Sequence, residues 1–402
     1  MEPRTHEVPY LARTVNSHVA SSTGQRIDAL DLARGVAILG TLGTNIWIFT
    51  DPRGAFGWVA TDPGANSGVV ETVLLTLSNG KFLALLSILF GVGVELQYRS
   101  ALRRGRRWPG RYLLRATLLF TEGLLHYLLI FEFDVLMGYA LVSVHVAFLV
   151  SRRDGVRRAW MTFAAVVHLT LVGLLTTAAH SGALSSGGDD PDADAYRHAS
   201  ASWVDQVLTR IDLAAYFRSE LLLIVPLSTV LFLAGIEVLR AGVFEDSDRG
   251  AHLRRRMMTI GFGVGLPLNL VTAFAGPEWF FVDRYVLPPI VAFGLLAAVT
   301  ELARRTRPGP LGRGLVATGR AAMSCYVLQN LVCSVLCYGW GFGLATTLAD
   351  ARPWWVVAAW AAVSALLAAL ATLWLRRFTR GPLELVLHRL YAGRPNRVAH
   401  HG

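Results

Sequence analysis

The chain has 402 residues, of which 53% are hydrophobic and only 16% are charged, and its mean hydropathy is +0.44. Soluble domains carry about 25% charged residues, so this composition excludes a water-soluble or disordered protein and predicts an all-α, polytopic integral membrane protein whose partner is the lipid bilayer. The net charge of +10 would suit a nucleic-acid-binding protein, but the positions of the arginines exclude nucleic acid as a partner. The three cysteines lie in one apolar segment and indicate no metal site.

A helix needs about 20 mostly apolar residues to cross a bilayer. The hydropathy pattern predicts about ten such helices, in chain order at 35–49, 82–98, 112–131, 135–151, 159–180, 221–236, 257–277, 285–300, 321–349 and 353–375. They form one domain at 26–390, between a polar cytoplasmic N-terminal tail at 1–25 and a cytoplasmic tail at 391–402. The longest outer loop is 181–218, and its end, 203–217, is amphipathic.

The arginines are concentrated in every second loop, whereas the loops between them carry Asp and Glu. Because Lys and Arg in short loops stay on the cytoplasmic side, this alternation predicts a cell-membrane protein with both termini in the cytoplasm.

Two segments resemble each other: 89–95 (LFGVGVE) and 231–237 (LFLAGIE). Both end spans that run in the same direction, which indicates a possible parallel repeat of four helices followed by two C-terminal helices. Chance similarity between apolar helices is the alternative. Glu95 with Arg99, and Glu237 with Arg240, are also spaced as ion pairs along a helix.

Polar residues within spans are costly in lipid and are therefore functional candidates. Glu122 and His126 are four residues apart on one helical face, and Asp134 follows after a short turn. A histidine beside two carboxylates has a fixed tautomer, which suits a general base, a proton-coupled carrier or a structural hydrogen bond. Lys81, the only lysine, lies at the outer start of the second span, either at the lipid interface or as a required point charge.

The predicted topology places several of these residues in the outer half of the membrane. We therefore expect one outward-facing polar pocket, made by Asn45, Lys81, Glu122, His126, Asp134 and Arg284. The ninth span adds a polar patch, Tyr326, Gln329 and Asn330. At the cytoplasmic edge of the first span, Asp31 and Arg34 share a helical face, either as an ion pair that anchors the helix or as the charged lip of a binding site.

Several motifs carry a family resemblance. They are ALDLARGVAIL at 29–39, KFLALLSILFG at 81–91, GLLH at 123–126 with DVL at 134–136, Gly319-Arg320 with Tyr326 and Gln329, and GPLE at 381–384. Together they resemble the YeiB-like family of bacterial membrane proteins, whose C-terminal half is called domain of unknown function 418, here about 219–390. This resemblance implies a multi-pass membrane protein and leaves its activity open.

The first-span motif is also similar to the opening of two types of membrane acyltransferase, the acyltransferase-three type and the heparan glucosaminide acetyltransferase type. These enzymes move acyl groups from a cytoplasmic donor to acceptors on or across the membrane. In the former, a histidine considered essential stands at the position of Asn45. In the latter, that position is Asn, and a histidine follows in the next outer loop. This chain also has no histidine between Asn45 and Lys81, so the resemblance assigns the base to His126.

The acyltransferase resemblance implies a role for each candidate residue. Asp134 or Glu122 would orient His126, and Asn45 would hydrogen-bond the acceptor or the acyl carbonyl. The expected substrate-binding residues are Lys81, Arg284, Tyr326 and Gln329, and the expected acyl-CoA-binding residues are Asp31, Arg34, Arg99 and Arg103.

The function predicted from the sequence is transfer of a small acyl group from cytoplasmic acyl-CoA to an outer-face glycan or metabolite, with no tightly bound cofactor. One alternative is a proton-coupled transporter of a small molecule that uses Glu122, His126 and Asp134. A second alternative is a non-catalytic membrane scaffold.

Overall fold

A computed structural model describes residues 10–55, 68–183, 201–306 and 308–392, without the side chains of 10–28 and 391–392. These residues form helices joined by turns, with no strand among them, which confirms the all-α prediction. The first nine helices are α1 Tyr10–Phe49, α2 Val69–Ser78, α3 Lys81–Arg103, α4 Arg111–Leu129, α5 Leu136–Leu149, α6 Asp154–His180, α7 Trp203–Asp212, α8 Ala214–Arg218 and α9 Leu221–Ala241. The others are α10 Asp248–Ile260, α11 Leu266–Ala275, α12 Phe280–Tyr285, α13 Leu287–Arg305, α14 Pro310–Arg320, α15 Ala322–Cys337, α16 Leu344–Thr347, α17 Trp354–Leu375 and α18 Pro382–Ala392.

Parts of the predicted tails and of the outer loop, residues 1–9, 184–200 and 393–402, lie outside the described residues. Residues 10–25 of the predicted N-terminal tail belong to the start of α1.

Seven helical segments of the described chain are long and apolar enough to cross a membrane. They are Ala29–Phe49, Val69–Arg103, Asp154–His180, Ala214–Ala241, Asp248–Ala275, Pro277–Arg305 and Trp354–Leu375. The pair α14 and α15, bent by 96°, makes an eighth if it is counted as one span. The remaining two of the ten expected spans correspond to α4, which has 19 residues and carries charges, and to α5, which has only 14 residues. The protein is a polytopic all-α membrane protein, with fewer spans of full length than the hydropathy pattern predicted.

The outer surface of the bundle is apolar. Large side chains such as Phe163 on α6, Val271 on α11 and Leu373 on α17 are 60%, 64% and 55% exposed. A soluble monomer seldom exposes apolar surface on this scale, whereas lipid tails solvate it without cost.

Helices α3 and α9 pack on each other along the segments that resemble each other in sequence. Phe90 and Phe232, which hold the same place in the two segments, are stacked with their ring centroids 5.6 Å apart. A Cβ atom on Gly91 would lie 2.0 Å from the carbonyl oxygen of Phe232, and one on Gly235 would lie 2.2 Å from that of Ile88. The two backbones are therefore in direct contact.

The neighbouring helices repeat this relationship. Helix α1 packs on α3 as α6 packs on α9, and α4 packs on α5 as α10 packs on α13. Equivalent residues of two repeats, such as Phe90 and Phe232, can contact each other only where they lie close to the pseudo-twofold axis that relates the repeats. This is the packing that a parallel four-helix repeat predicts.

One end of the bundle, which we call the arginine-rich end, is held together by ion pairs between helices. Glu95 of α3 accepts from Arg99 at 2.7 Å and from Arg240 of α9 at 2.8 Å. Glu237 instead accepts from Arg157 of α6 at 2.9 Å, so Arg240 bridges to the other repeat and does not form the expected pair with Glu237.

At the other end, which we call the opposite end, α7 and α8 lie over the turn between α4 and α5. Arg210 and Glu132 are both fully buried and form an ion pair at 3.0 Å. Arg218 donates to the backbone carbonyl oxygens of Glu132 and Asp134. The side of α7 that carries Val204 and other apolar residues is exposed, so α7 is amphipathic as the sequence predicted.

Candidate functional site

A cavity of about 440 Å³, the large cavity, lies at the arginine-rich end between helices of the first repeat and α14, α15 and α18. On α3 its wall runs from Gln97 to Leu86, about 16 Å at the helical rise. It therefore reaches about halfway through a hydrocarbon core of about 30 Å. Basic side chains line it, and these are Arg34, Arg115, Arg320, Arg380 and His388. The deeper wall is apolar and includes Leu86, Leu89, Phe90, Leu119 and Met323.

The first-span motif forms part of the wall of the large cavity because α1 and α14 cross there at two glycines. A Cβ atom on Gly35 would lie 2.0 Å from the carbonyl oxygen of Leu315, and one on Gly319 would lie 1.7 Å from that of Asp31. Each glycine has an arginine as its neighbour in the chain: Arg34, which is paired with Asp31 at 2.9 Å, precedes Gly35, and Arg320 follows Gly319. Both arginines line the cavity.

The GPLE motif supplies another part of the same wall. The carboxylate of Glu384 accepts from the backbone N–H groups of Met323 at 2.8 Å and Ser324 at 3.3 Å, and also from the Ser324 hydroxyl. It therefore caps the first turn of α15, whose unpaired N–H groups need acceptors. Motifs that are far apart in the sequence thus meet around one cavity.

His126 and Asp134 form a buried pair beyond the deep end of this cavity. Nδ1 of His126 lies 3.0 Å from Oδ1 of Asp134, and the two residues are 2% and 3% exposed. The other carboxylate oxygen of Asp134 accepts from the backbone N–H groups of Leu136 at 2.9 Å and Met137 at 3.2 Å, which fixes its orientation. Gly123 makes room for it, since a Cβ there would lie 2.9 Å from that oxygen.

Two asparagines continue this hydrogen-bonded chain. The amide nitrogen of Asn330 donates to Nε2 of His126 at 3.1 Å, and that of Asn45 donates to the amide oxygen of Asn330 at 3.1 Å. With Nε2 as the acceptor, Nδ1 carries the proton that is donated to Asp134. This is the tautomer of histidine that a general base requires.

Tyr326 completes this group, and we call the five residues Asn45, His126, Asp134, Tyr326 and Asn330 the central cluster. Its hydroxyl donates to Oδ1 of Asp134 at 3.4 Å, and its ring lies 5.1 Å from the ring of His126. Tyr326 lines the deep end of the large cavity and also a second, small cavity of about 30 Å³. The polar residues that line the small cavity are Thr41, Thr44, Asn45, Glu220, Arg284 and Tyr326.

The structure thus brings together several residues of the expected pocket. His126, Asp134 and Asn45 are joined through Asn330, and Arg284 borders the small cavity beside Asn45. Arg284 donates to Glu220 at 3.2 Å and to Asn79. Glu122 lies one helical turn before His126, with both carboxylate oxygens buried.

Other predicted site residues lie elsewhere. Lys81 is buried at the break between α2 and α3, where it donates to the carbonyl oxygen of Thr76 and to Asn269 and lines neither of the two cavities. Its ammonium group thus links the end of α2 to α11 at the break between α2 and α3. Gln329 is fully buried, and within the described structure its amide atoms have no hydrogen-bond partner.

Two of the four residues expected to bind acyl-CoA do not line the large cavity. Arg99 is paired with Glu95, and Arg103 is exposed at the end of α3. Arg34, with its partner Asp31, is at the cavity as expected.

The sequence reasoning did not assign a role to Asn330, Glu220, Arg320, Arg380 or Glu384. A signal existed for three of them, since Asn330 is a polar residue within a span and Arg320 and Glu384 belong to the family motifs. Nothing in the sequence pairs Glu220 with Arg284, because α9 and α12 meet only in the fold. Within the part of the chain that the structure describes, no group of His, Cys, Asp and Glu residues is arranged to hold a metal ion.

Comparison with known proteins gives relatives over nearly the whole chain. Residues 238–394 match the family described as protein of unknown function, DUF418. The chain is 27% identical to the uncharacterized protein YeiB of Escherichia coli K12, covering 91% of this chain and 96% of that protein. It is 25% identical to the uncharacterized protein YxaH of Bacillus subtilis 168, covering 90% of this chain and 93% of that protein. No solved structure gives a significant match.

Proposed function

We propose that this chain, which matches the DUF418 family over residues 238–394 and is similar to YeiB and YxaH over nearly its whole length, is a transmembrane acyltransferase. It moves a small acyl group from acyl-CoA to a hydroxyl or amine of a glycan or metabolite at the other face of the membrane. The supporting observation is that an arginine-lined cavity ends at Tyr326, which is hydrogen-bonded to the buried His126–Asp134 pair. In this proposal, acyl-CoA in the large cavity and the base His126 lie on opposite sides of the Tyr326 side chain.

The large cavity has the character of an acyl-CoA site. Guanidinium groups bind phosphate through two parallel hydrogen bonds, and four arginines line this cavity. The apolar deeper wall suits the uncharged arm and acyl group of the donor, so the thioester would lie near Tyr326. Positively charged ends face the cytoplasm in membrane proteins, so we place the arginine-rich end, both termini and acyl-CoA on the cytoplasmic side of the cell membrane.

The central cluster supplies the base for acyl transfer. The acceptor hydroxyl takes the place of the Asn330 amide at Nε2 of His126 and gives its proton to that nitrogen, while its oxygen attacks the thioester carbon. Asp134 stabilises the imidazolium that forms. The bond between the acyl carbon and sulfur then breaks, and CoA leaves as a thiolate that takes up one proton. The amide groups of Asn45 and Asn330 are placed to donate hydrogen bonds to the oxyanion of the tetrahedral intermediate.

The small cavity is the proposed entrance for the acceptor. It borders Asn45 and Tyr326, and its charged residues, Arg284 and Glu220, neutralise each other at 3.2 Å. Such a lining favours a neutral, hydroxyl-rich acceptor. The cavity is closed toward the opposite end, where Phe133 of its wall packs against Phe217 of α8 with ring centroids 5.8 Å apart. Admission of an acceptor therefore requires α7 and α8 to move.

Acyl transfer by sealed membrane vesicles tests this proposal. Inverted vesicles that contain the protein are given radiolabelled acetyl-CoA outside and a membrane and glycan extract inside. We expect label to accumulate on material inside the vesicles, and His126→Ala to abolish the accumulation. Absence of transfer, together with no thermal stabilisation of the purified protein by any acyl-CoA, would overturn the proposal.

A proton-coupled transporter is the second candidate, and one observation favours it. The two cavities approach each other from opposite ends and share Tyr326 as a wall, an arrangement that alternating access also uses. Uptake of a solute driven by an imposed pH gradient and lost in His126→Ala, without acyl transfer, would favour the transporter over the enzyme.

A further inference from the structure

Glu122 differs from the acids that form ion pairs between segments of the described structure. Both of its carboxylate oxygens are buried without a hydrogen-bond partner in the described structure, and none of the ion pairs there includes it. Glu95, Glu132 and Glu301 each accept from a neighbouring arginine. Those three acids hold helices together, whereas Glu122 holds nothing.

The position of Glu122 connects the central cluster with the large cavity. It lies one turn before His126 on α4, and Leu118 and Leu119, about one turn before Glu122, line the large cavity. Glu384 belongs to the wall of the same cavity, and the charges of Asp134 and Glu384 both act on the carboxyl group of Glu122. Along α4, Glu122 therefore lies between the cavity wall and the buried histidine.

Burial of an unpaired carboxylate costs folding free energy, and Glu122 forms no contact that would offset this cost. A carboxyl group between a buried histidine and a cavity, with no arginine or lysine paired with it, suits the uptake and release of a proton. The described residues include no metal-binding group at this place, so coordination of a cation does not account for it.

We propose that Glu122 is the proton relay between the His126–Asp134 pair and the large cavity. This inference rests on the proposed acyl transfer, in which one proton leaves the acceptor hydroxyl and one proton must reach the CoA thiolate. His126 receives the proton when the new carbon–oxygen bond forms. Glu122 passes a proton on toward the cavity, where the sulfur takes it up after the carbon–sulfur bond breaks. Glu122 ends each cycle with the proton content that it had at the start.

The relay is tested by Glu122→Gln, which keeps the size and polarity of the side chain but cannot release a proton. Glu122→Asp serves as the conservative variant, and Glu278→Gln serves as the matched control, because Glu278 is a partly exposed acid between α11 and α12 that lines neither cavity. We expect Glu122→Gln to lower kcat about 100-fold without change in KM for acyl-CoA or in the thermal shift that acyl-CoA produces. Glu122→Asp should recover much of kcat with a displaced pH profile, and Glu278→Gln should match the wild type.

Two results would overturn the relay. One is a Glu122→Gln variant with wild-type kcat and pH profile. The other is an infrared result. The relay requires that the wild type show a carboxylic-acid band that shifts in D2O and is missing from Glu122→Gln, and the absence of such a band would contradict it. The infrared measurement requires no turnover, so it tests the protonation of Glu122 even if the wild type transfers no acyl group. Absence of acyl transfer would instead count against the proposed function. If Glu122→Gln does not fold, Glu122→Asp gives the same decision through its pH profile.

Discussion

Asn330 donates its side-chain amide to Nε2 of His126 over 3.1 Å, and this contact joins α15 to α4 in the middle of the bundle. The same amide accepts from Asn45 of α1, so three helices meet at one asparagine. Its position makes Nε2 of His126 a hydrogen-bond acceptor and leaves Nδ1 to donate to Asp134.

The first prediction concerns this contact. His126→Ala removes the base and should lower acyl transfer about 100-fold or more, while Asn330→Ala frees Nε2 but loses its orientation and should lower transfer about 10-fold. His168→Ala is the control, because His168 is equally buried but bonds only to backbone in the second repeat. Steady-state acyl transfer with each purified variant measures the effect. Equal losses in His126→Ala and His168→Ala would indicate general destabilisation.

The second prediction concerns the arginines of the large cavity. Arg320→Gln and Arg380→Gln should each weaken acyl-CoA binding about 10-fold or more, because each removes a charged donor to phosphate. Arg103→Gln, outside the cavity, should leave binding unchanged. Calorimetric titration with a non-hydrolysable acyl-CoA analogue gives the affinities. Equal affinity in all three variants would contradict the placement of the donor.

The third prediction concerns the buried ion pair between Arg210 of α7 and Glu132 of the turn between α4 and α5. Arg210→Ala leaves Glu132 buried without its partner and should lower the free energy of unfolding by about 3–5 kcal/mol. Arg305→Ala breaks an exposed pair with Glu301 and should cost about 0–1 kcal/mol. Denaturant unfolding in detergent compares them. If the double variant Arg210→Met with Glu132→Leu is no more stable than Arg210→Ala, the pair is not the cause.

The fourth prediction concerns the contact between α3 and α9. Gly91→Ala places a Cβ about 2 Å from the carbonyl oxygen of Phe232 and should destabilise the protein by about 1–3 kcal/mol or more. Gly93→Ala, on the same helix, meets open space and should be neutral or slightly stabilising. Thermal unfolding in the same detergent shows whether the two variants differ.

Much of this architecture follows from patterns that a single sequence displays. The apolar segments predicted a helical membrane protein, and the spacing of Glu122, His126 and Asp134 predicted their proximity, because a helical turn and a short connection leave little freedom. The resemblance of 89–95 to 231–237 predicted that α3 and α9 are related. The DUF418 match over residues 238–394 and the similarity to YeiB support the family resemblance that the motifs carry.

What the sequence did not predict depends on contacts between distant helices. Arg34 lines the large cavity and Arg99 does not, although both are arginines near the same end, because Arg99 faces Glu95. Lys81 was expected at the site, but the break at Asn79 and Gly80 turns it toward Asn269 on α11. The number of full-length spans also came out lower, since hydropathy cannot show that α14 and α15 bend by 96° or that α5 ends after 14 residues.

The glycine contact between α3 and α9 limits how this protein can move. Two backbones that touch have no side chains between them to repack, so separating them would leave a gap that nothing nearby can fill. We therefore expect α3 and α9 to remain packed together as a rigid centre of the bundle. We expect any motion that opens either cavity to occur instead in the helices that close the two ends of the bundle, α7 and α8 over the small cavity and α18 beside the large one.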